Sequence, residues 1–275
     1  MNPRPLIPIA AALALALAGG CVSLGRLGFS RPEPIRVLVL NMHAGKDAKG
    51  ADNLDAVASL VKTTRADLVL LQEVDRGTTR SGKVDQIDRL AALTRYAAAF
   101  GPSLISYQGG QYGIAALARE FLGYQATISL AVAPVQTRAG GSREPRVALL
   151  GYAIVRGASW RFINTHVDPS DAAARTQELR QVAALARAQQ AEGRPLVAGG
   201  DLNATPDDPG LAAFRDAGLR DAWVECGTGD GFTFPSDKPV KRIDYLWLAG
   251  TLQCASATVL DTTISDHRPL LVTLK

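Results

Sequence analysis

The sequence predicts an α/β protein built of mixed β-sheets covered by helices, and three observations carry that class. An apolar strand, an amphipathic helix and a second apolar strand open the chain. Apolar runs joined by Gly-bearing turns follow in the middle, as hairpins do. The length of 275 residues, 47% hydrophobic and 20% charged, suits one large α/β domain.

Ile35 to Met42 is β-branched and Leu-rich and reads as a buried strand. Asp52 to Lys62 spaces Leu54, Val57, Ala58 and Val61 at helical intervals, with Asp52 as its cap. Leu68 to Leu71 is a second buried strand, and Ile87 to Tyr96 is helical. Tyr112 to Leu117, Tyr124 to Ala133, Val147 to Val155 and Trp160 to Thr165 read as strands. Asp171 to Ala191 is a long Ala/Gln/Arg helix, Pro195 to Ala198 a strand and Asp208 to Ala217 a helix. Ile243 to Leu248, Ala257 to Leu260 and Pro269 to Leu274 complete the strands.

The N-terminus stands apart. Arg4 precedes the Ala/Leu-rich run Leu6 to Ala18, too short for a membrane span and suited to a signal peptide over residues 1–20. Leu17-Ala18-Gly19-Gly20-Cys21 resembles a bacterial lipoprotein box, which makes Cys21 a lipid-anchor site. Cleavage after Ala16-Leu17-Ala18 is the alternative. Both imply export to the cell envelope. Residues 21–34 are Gly/Pro/Ser-rich and read as a tether, and residues 35–275 as one catalytic domain without repeats. In an oxidising compartment Cys226 and Cys254 are either a disulfide or two buried thiols. The net charge of +4 comes without a Lys/Arg block and selects no substrate.

Polar residues collect where strands end. Asn41 closes the first strand and Glu73 the second; Asn164-Thr165-His166 and Asp201-Leu202-Asn203 close two more. Arg242-Ile243-Asp244-Tyr245 opens a strand, and Ser265-Asp266-His267-Arg268-Pro269 precedes the last. All three histidines, His43, His166 and His267, lie in or beside these motifs. Strand ends along one sheet edge are where rigid elements hold polar groups around a shared crevice. Each residue alone also has an ordinary structural reading: Asn41 and Asn203 as turn residues, Asp201 as a cap, Glu73 paired with Arg76 or Arg80, and Asp244 with Arg242.

Taken in order, these motifs resemble the endonuclease/exonuclease/phosphatase superfamily over residues 35–275. That superfamily includes secreted deoxyribonucleases, abasic-site endonucleases, neutral sphingomyelinases and inositol-polyphosphate phosphatases. Leu71 to Arg76 and Asp85-Gln86 look closer to its bacterial and lipid-related branch. The resemblance implies a four-layer α/β/β/α sandwich of the deoxyribonuclease I-like type, with Mg²⁺-dependent attack of water on a phosphate ester. It implies Glu73, Asn41 and Asp266 as metal ligands, an oxygen set that suits Mg²⁺ or Mn²⁺. It implies His267 as base or phosphate stabiliser with Asp244 fixing its tautomer, and Asp201 orienting the water. Asn203 would hold a phosphoryl oxygen, and His166 would bond the phosphate or assist the leaving group. Tyr112 would line the site, and His43 and Arg146 would touch phosphate. One departure stands out: many members have Tyr-Gly-Asn where this chain has Tyr112-Gly113-Ile114, and isoleucine cannot support His166 by a hydrogen bond.

These features favour an exported monomeric phosphoesterase acting on a phospholipid, sugar phosphate or other small ester. An extracellular nuclease, gripping backbone through Arg138, Arg143 and Arg146 and through Lys238, Lys241 and Arg242, is the alternative. A non-catalytic binding lipoprotein would have lost one of Glu73, Asp201 or His267.

Overall fold

The computed structural model describes residues 33–130 and 132–275. The signal segment 1–20, Cys21 and most of the tether lie outside the described residues. The chain runs β1 (Ile35–Asn41), α1 (Leu54–Thr64), β2 (Leu68–Arg76), α2 (Gln86–Thr94), β3 (Ala97–Tyr107), β4 (Gly110–Ala118) and β5 (Phe121–Ser129). It continues through β6 (Val147–Val155), β7 (Ala158–His166), α3 (Ala172–Gln190), β8 (Leu196–Asp201), α4 (Ala212–Asp216), β9 (Arg220–Asp221) and α5 (Ala222–Cys226). It ends with β10 (Asp244–Leu248), β11 (Cys254–Val259) and β12 (Leu270–Leu274).

Two six-stranded sheets form, ordered β11-β12-β1-β2-β4-β3 and β5-β6-β7-β8-β10-β9. Each holds one parallel pair, β1 with β2 and β7 with β8, and each pair is joined through a helix, α1 or α3. The remaining pairs are antiparallel, so both sheets are mixed. Strand periodicity of two sorts the side chains. Val37, Val39, Leu68 and Leu70 face inward against Leu149, Phe162, Val197 and Leu246 of the other sheet. Leu38, Leu40, Val69 and Leu71 face outward onto α1 and α2. Leu196 and Ala198 face outward onto α3 and Phe214 of α4. Helix, sheet, sheet and helix therefore form four layers, as the family resemblance implied.

Several local expectations differ. Asn53, not Asp52, stands at the N-cap of α1; its amide donates to the carbonyls of Met42, Lys46 and Ile264, while Asp52 pairs with Lys46. The stretch 97–107, to which the sequence pattern assigned no element, is a strand: Arg95 turns left-handed after α2, and β3 then lies at the sheet edge, where Pro102 meets a register shift. The helix expected over 208–217 is a 3-10 turn, Pro209–Leu211, followed by the five-residue α4. Cys226 and Cys254 are bonded, linking α5 to β11.

Candidate active site

Because each parallel pair points its two strand ends the same way, polar termini gather at one edge of each sheet. In the first sheet Asn41 stands level with Gln72. A bulge between Leu71 and Val74 then sets Glu73 at a φ of 55°. A non-glycine residue in that left-handed region is strained, and bulges re-aim side chains. In the second sheet His166 stands level with Asp201, and Asp201 with Asp244. Gly200 makes that row possible: its φ is 135°, and a Cβ there would lie 1.9 Å from the Thr165 carbonyl oxygen.

Four groups converge on Asp201. Asn41 Nδ2 donates to its Oδ2 over 3.0 Å, and His166 Nε2 and His267 Nε2 lie 3.5 and 3.7 Å from the same oxygen. The backbone N–H of Asn203 donates to Oδ1 over 2.9 Å. Behind His267, its Nδ1 lies 2.9 Å from Asp244 Oδ2, and the Phe234 ring packs 4.8 Å away. Burial works against charge on His267, but Asp244 and then Asp201 outweigh it and raise the pKa to about 10. His166 moves the opposite way: burial, then Arg146, then His267 hold it well below the usual imidazole range. Burial raises Asp201 to about 7; His267 opposes that rise, Asp244 adds to it, and the bonds from Asn203 and Asn41 lower it.

The ordinary pairings considered for these carboxylates are taken up elsewhere. Arg76 bonds Asp85, Arg80 grips Asp75 with two nitrogens, and Arg242 pairs with Asp221 rather than Asp244. Asn41 gains a role and Arg146 loses one. Asn41 presents its amide nitrogen to Glu73 Oε1 (3.1 Å) and Asp201, while its oxygen accepts from the backbone of His43. The amide oxygen has two lone pairs, so accepting from His43 leaves one for a metal. Asn41 therefore bridges two carboxylates through its nitrogen and keeps an acceptor site on its oxygen. Arg146 is not an open phosphate contact: it is 2% exposed, enclosed by Glu144 and His166.

The other predicted residues flank this centre. His43 is partly exposed, with Nδ1 3.9 Å from Asp266 Oδ1. Tyr112 is buried, and burial followed by Glu73 keeps its phenol protonated. Asn203 bonds the Val167 carbonyl and, with His267, Phe234, Thr205, Arg175 and Lys241, lines a cleft of about 390 Å³.

The donor set fits a hard divalent cation. Among the described residues no hydrogen bond reaches Glu73 Oε2 or Asp266 Oδ2; the opposite oxygens accept from Asn41 and Ser265. Carboxylate oxygens without a hydrogen-bond donor suit Mg²⁺ or Mn²⁺ better than zinc. Asp201, Asp244 and His267 also bring ligand atoms within 4.8 Å of one another, but there the imidazole is held by Asp244.

Motif reading placed Asn164 and Ser265 at strand ends without a role, and it missed Ser236 and Glu144. Asn164 of the second sheet accepts from Gln72 Nε2 and donates to the carbonyls of Leu71 and Ala115 in the first, a buried polar clamp between sheets. An Asn inside an apolar strand was its signal. Ser265 Oγ donates to the Asn41 carbonyl, and Ser236 holds the Ser265 and Asp266 carbonyls, fixing the segment before β12. Glu144 sits beside Arg146, and only the register of β6 reveals its place.

The sequence profile of the Endonuclease/Exonuclease/phosphatase family matches residues 38–267. The chain is similar to the solved endonuclease/exonuclease/phosphatase from Beutenbergia cavernae DSM 12333, at 21% identity and a TM-score of 0.73 over 88% of this chain and 72% of that one. It is similar to the Bacteroides thetaiotaomicron VPI-5482 mannosyl-6-phosphatase Bt3783, at 18% identity and a TM-score of 0.73 over 88% and 99%. A truncated Caenorhabditis elegans TDP2 shares 20% identity and a TM-score of 0.65 over 88% and 97%. No curated protein matches the chain. At these identities the likeness to solved structures is one of fold.

Proposed function

The chain belongs to the Endonuclease/Exonuclease/phosphatase family, whose members are hydrolases of phosphate esters and typically need a divalent metal, and from that premise we propose an exported Mg²⁺-dependent phosphoesterase. Its substrate is a small phosphate ester, a phosphodiester first of all. The observation that carries this is the convergence of Asn41, His166 and His267 on one oxygen of Asp201, beside the unbonded oxygen of Glu73.

Asp201, raised to about 7, orients the attacking water and takes its proton as the water oxygen attacks phosphorus; the ester P–O bond breaks, and the leaving alkoxide takes a proton from solvent water. His267 is a cation at neutral pH, so it stabilises the phosphoryl charge and is not the base; Asp244 holds its ring. Asn203 and Tyr112 bound the phosphoryl group, and His166 and His43 flank it. Glu73 and Asp266 would hold the metal, with Asn41 orienting Glu73. The chemistry a divalent cation supplies there is Lewis-acid polarisation of a phosphoryl oxygen.

A small substrate is favoured over a nucleic acid strand by the fate of the basic side chains. Arg143 bonds Asp171, Arg146 is buried, and Arg242 pairs with Asp221, so three of six candidate backbone contacts face protein. The Cys226–Cys254 bond supports export, since disulfides persist in oxidising compartments. We infer the same for a lipid anchor on Cys21, from the sequence pattern alone, and for a monomer.

The test is a panel of an artificial phosphodiester, sugar phosphates, phospholipid vesicles and plasmid DNA, assayed with Mg²⁺, Mn²⁺ and chelator. Hydrolysis abolished by chelator and restored by either metal is expected, with Glu73→Gln lowering it by orders of magnitude and leaving the melting temperature unchanged. Full activity in excess chelator overturns the assignment. Plasmid cleavage falling steeply with salt would make the protein a nuclease.

A further inference from the structure

We propose that Arg146 is a positioning residue that fixes His166 in its Nε2–H tautomer, so that His166 presents a hydrogen-bond donor to the phosphoryl group and carries no proton through the reaction. The proposal rests on the reading of His166 as phosphate-facing and goes beyond it by deciding between bonding the phosphate and protonating the leaving group.

The starting point is the residue this chain lacks. Ile114 is buried in the core between the sheets and offers His166 no hydrogen bond. Support comes instead from Arg146, which lines the same small cavity as Ile114 and His166. Arg146 immediately precedes β6, which runs antiparallel to β7 with Ala148 level with Thr165, and this register brings the guanidinium beside His166 at the end of β7. Arg146 Nη1 lies 2.9 Å from His166 Nδ1. A guanidinium is a donor only, so Nδ1 must offer its lone pair. The one proton of a neutral imidazole then sits on Nε2, the nitrogen 3.5 Å from Asp201 Oδ2. The other tautomer, or the imidazolium, would press N–H against N–H where neither residue is more than 5% exposed.

Glu144 makes the arrangement sustainable. Its Oε1 lies 3.0 Å from the same Nη1 as an ion pair, but without hydrogen-bond alignment, so the aligned N–H is the one aimed at His166. The other oxygen of Glu144 accepts from the Gly140 backbone. The carboxylate neutralises a guanidinium that is costly to bury alone. Burial and the Arg146 charge hold His166 neutral in the same direction. A neutral imidazole with a fixed N–H binds an anionic oxygen without entering the proton inventory.

Three histidines in the whole chain make the test tractable. In the purified full chain with ¹⁵N-labelled histidine, NMR should show His166 with Nδ1 unprotonated and Nε2 protonated, unchanged from about pH 6 to 8. Arg146→Lys should keep that tautomer; Arg146→Met should lose it and lower kcat roughly 10- to 100-fold with KM little changed. An Nδ1–H form or an imidazolium in the wild type overturns the proposal, and so does Arg146→Met retaining the Nε2–H form. If Arg146→Met does not fold, the wild-type spectrum decides. Full activity in His166→Ala, with the wild-type tautomer as stated, would instead overturn the phosphate-facing role of His166 and leave the Arg146 assignment standing.

Discussion

His166 and His267 are the same residue at the same depth, each aiming Nε2 at the same oxygen of Asp201, yet only one of them carries a charge. His267 backs onto Asp244 and is a cation up to about pH 10. His166 backs onto Arg146 and stays neutral. The second neighbour, on Nδ1, decides what Nε2 is, because each ring nitrogen's role is set by the bond the other makes. Paired groups whose surroundings push their pKa values apart divide labour in many active sites. The two also come from different sheets: His166 ends β7, while His267 precedes β12. Their meeting is a property of the packed sandwich rather than of either strand.

The largest effect should come from breaking the cationic arm. His267→Ala is expected to lower kcat/KM by about 10²–10⁴, and Asp244→Asn by nearly as much. The double variant should be little worse than His267→Ala, since groups acting as one unit are not additive. Asp244→Asn also removes the strongest influence raising the His267 pKa. The cation, present below about pH 10 in the wild type, would then be lost at lower pH, moving the alkaline limb of the rate profile downward. Near-normal turnover in Asp244→Asn with an unmoved alkaline limb would mean the pair is structural.

How much of this contrast was legible in the sequence follows from what pattern reports. Strand periodicity breaks where polar residues end apolar runs, so Asn41, Glu73, His166, Asp201, Asp244 and His267 stood out, and their order carried the family resemblance that implied the layers. Tertiary register does not print itself that way. Arg146 reads as one of several loop cations until β6 is laid against β7, and its burial then reverses its expected role. Asn41 reads as an oxygen donor, and pattern alone does not show that its nitrogen bridges Glu73 and Asp201. The Ala-rich β3 gave no strand pattern because its conformation comes from pairing with β4, not from propensity.

A smaller effect should follow from loosening the clamp that brings the arms together. Asn164 is fully buried and holds Gln72 and the carbonyls of Leu71 and Ala115. Asn164→Leu would leave three polar groups without that partner. Each unsatisfied buried group costs about 1–3 kcal/mol, so a loss of roughly 3 kcal/mol or more in denaturant unfolding is expected. Both histidine arms should weaken together, with kcat falling even where the fold survives. An unchanged unfolding midpoint would show that the sheets hold their spacing without it.

The smallest effect concerns the buried charge behind the neutral arm. Glu178 of α3 accepts from the Asp168 backbone N–H over 2.7 Å and faces Arg146, Asp168 and Glu144. Burial raises its pKa from 4.5 to about 7, only partly offset by that hydrogen bond and by Arg146. The folded state therefore keeps a proton that the unfolded chain releases. Its contribution is fully present below about pH 4.5 and is lost as pH rises through about 7. At about 1.4 kcal/mol per pH unit, the ceiling is roughly 3 kcal/mol. Glu178→Gln keeps an acceptor for Asp168 and has nothing to ionise, so it should be more stable than the wild type at pH 8, by about 1–3 kcal/mol, and nearly equal to it at pH 4. A stability difference that does not change between those two pH values would mean Glu178 is already ionised at little cost, with Arg146 neutralising it as well as Glu144. The guanidinium would then be shared between two carboxylates, and its hold on His166 would be the weaker for it.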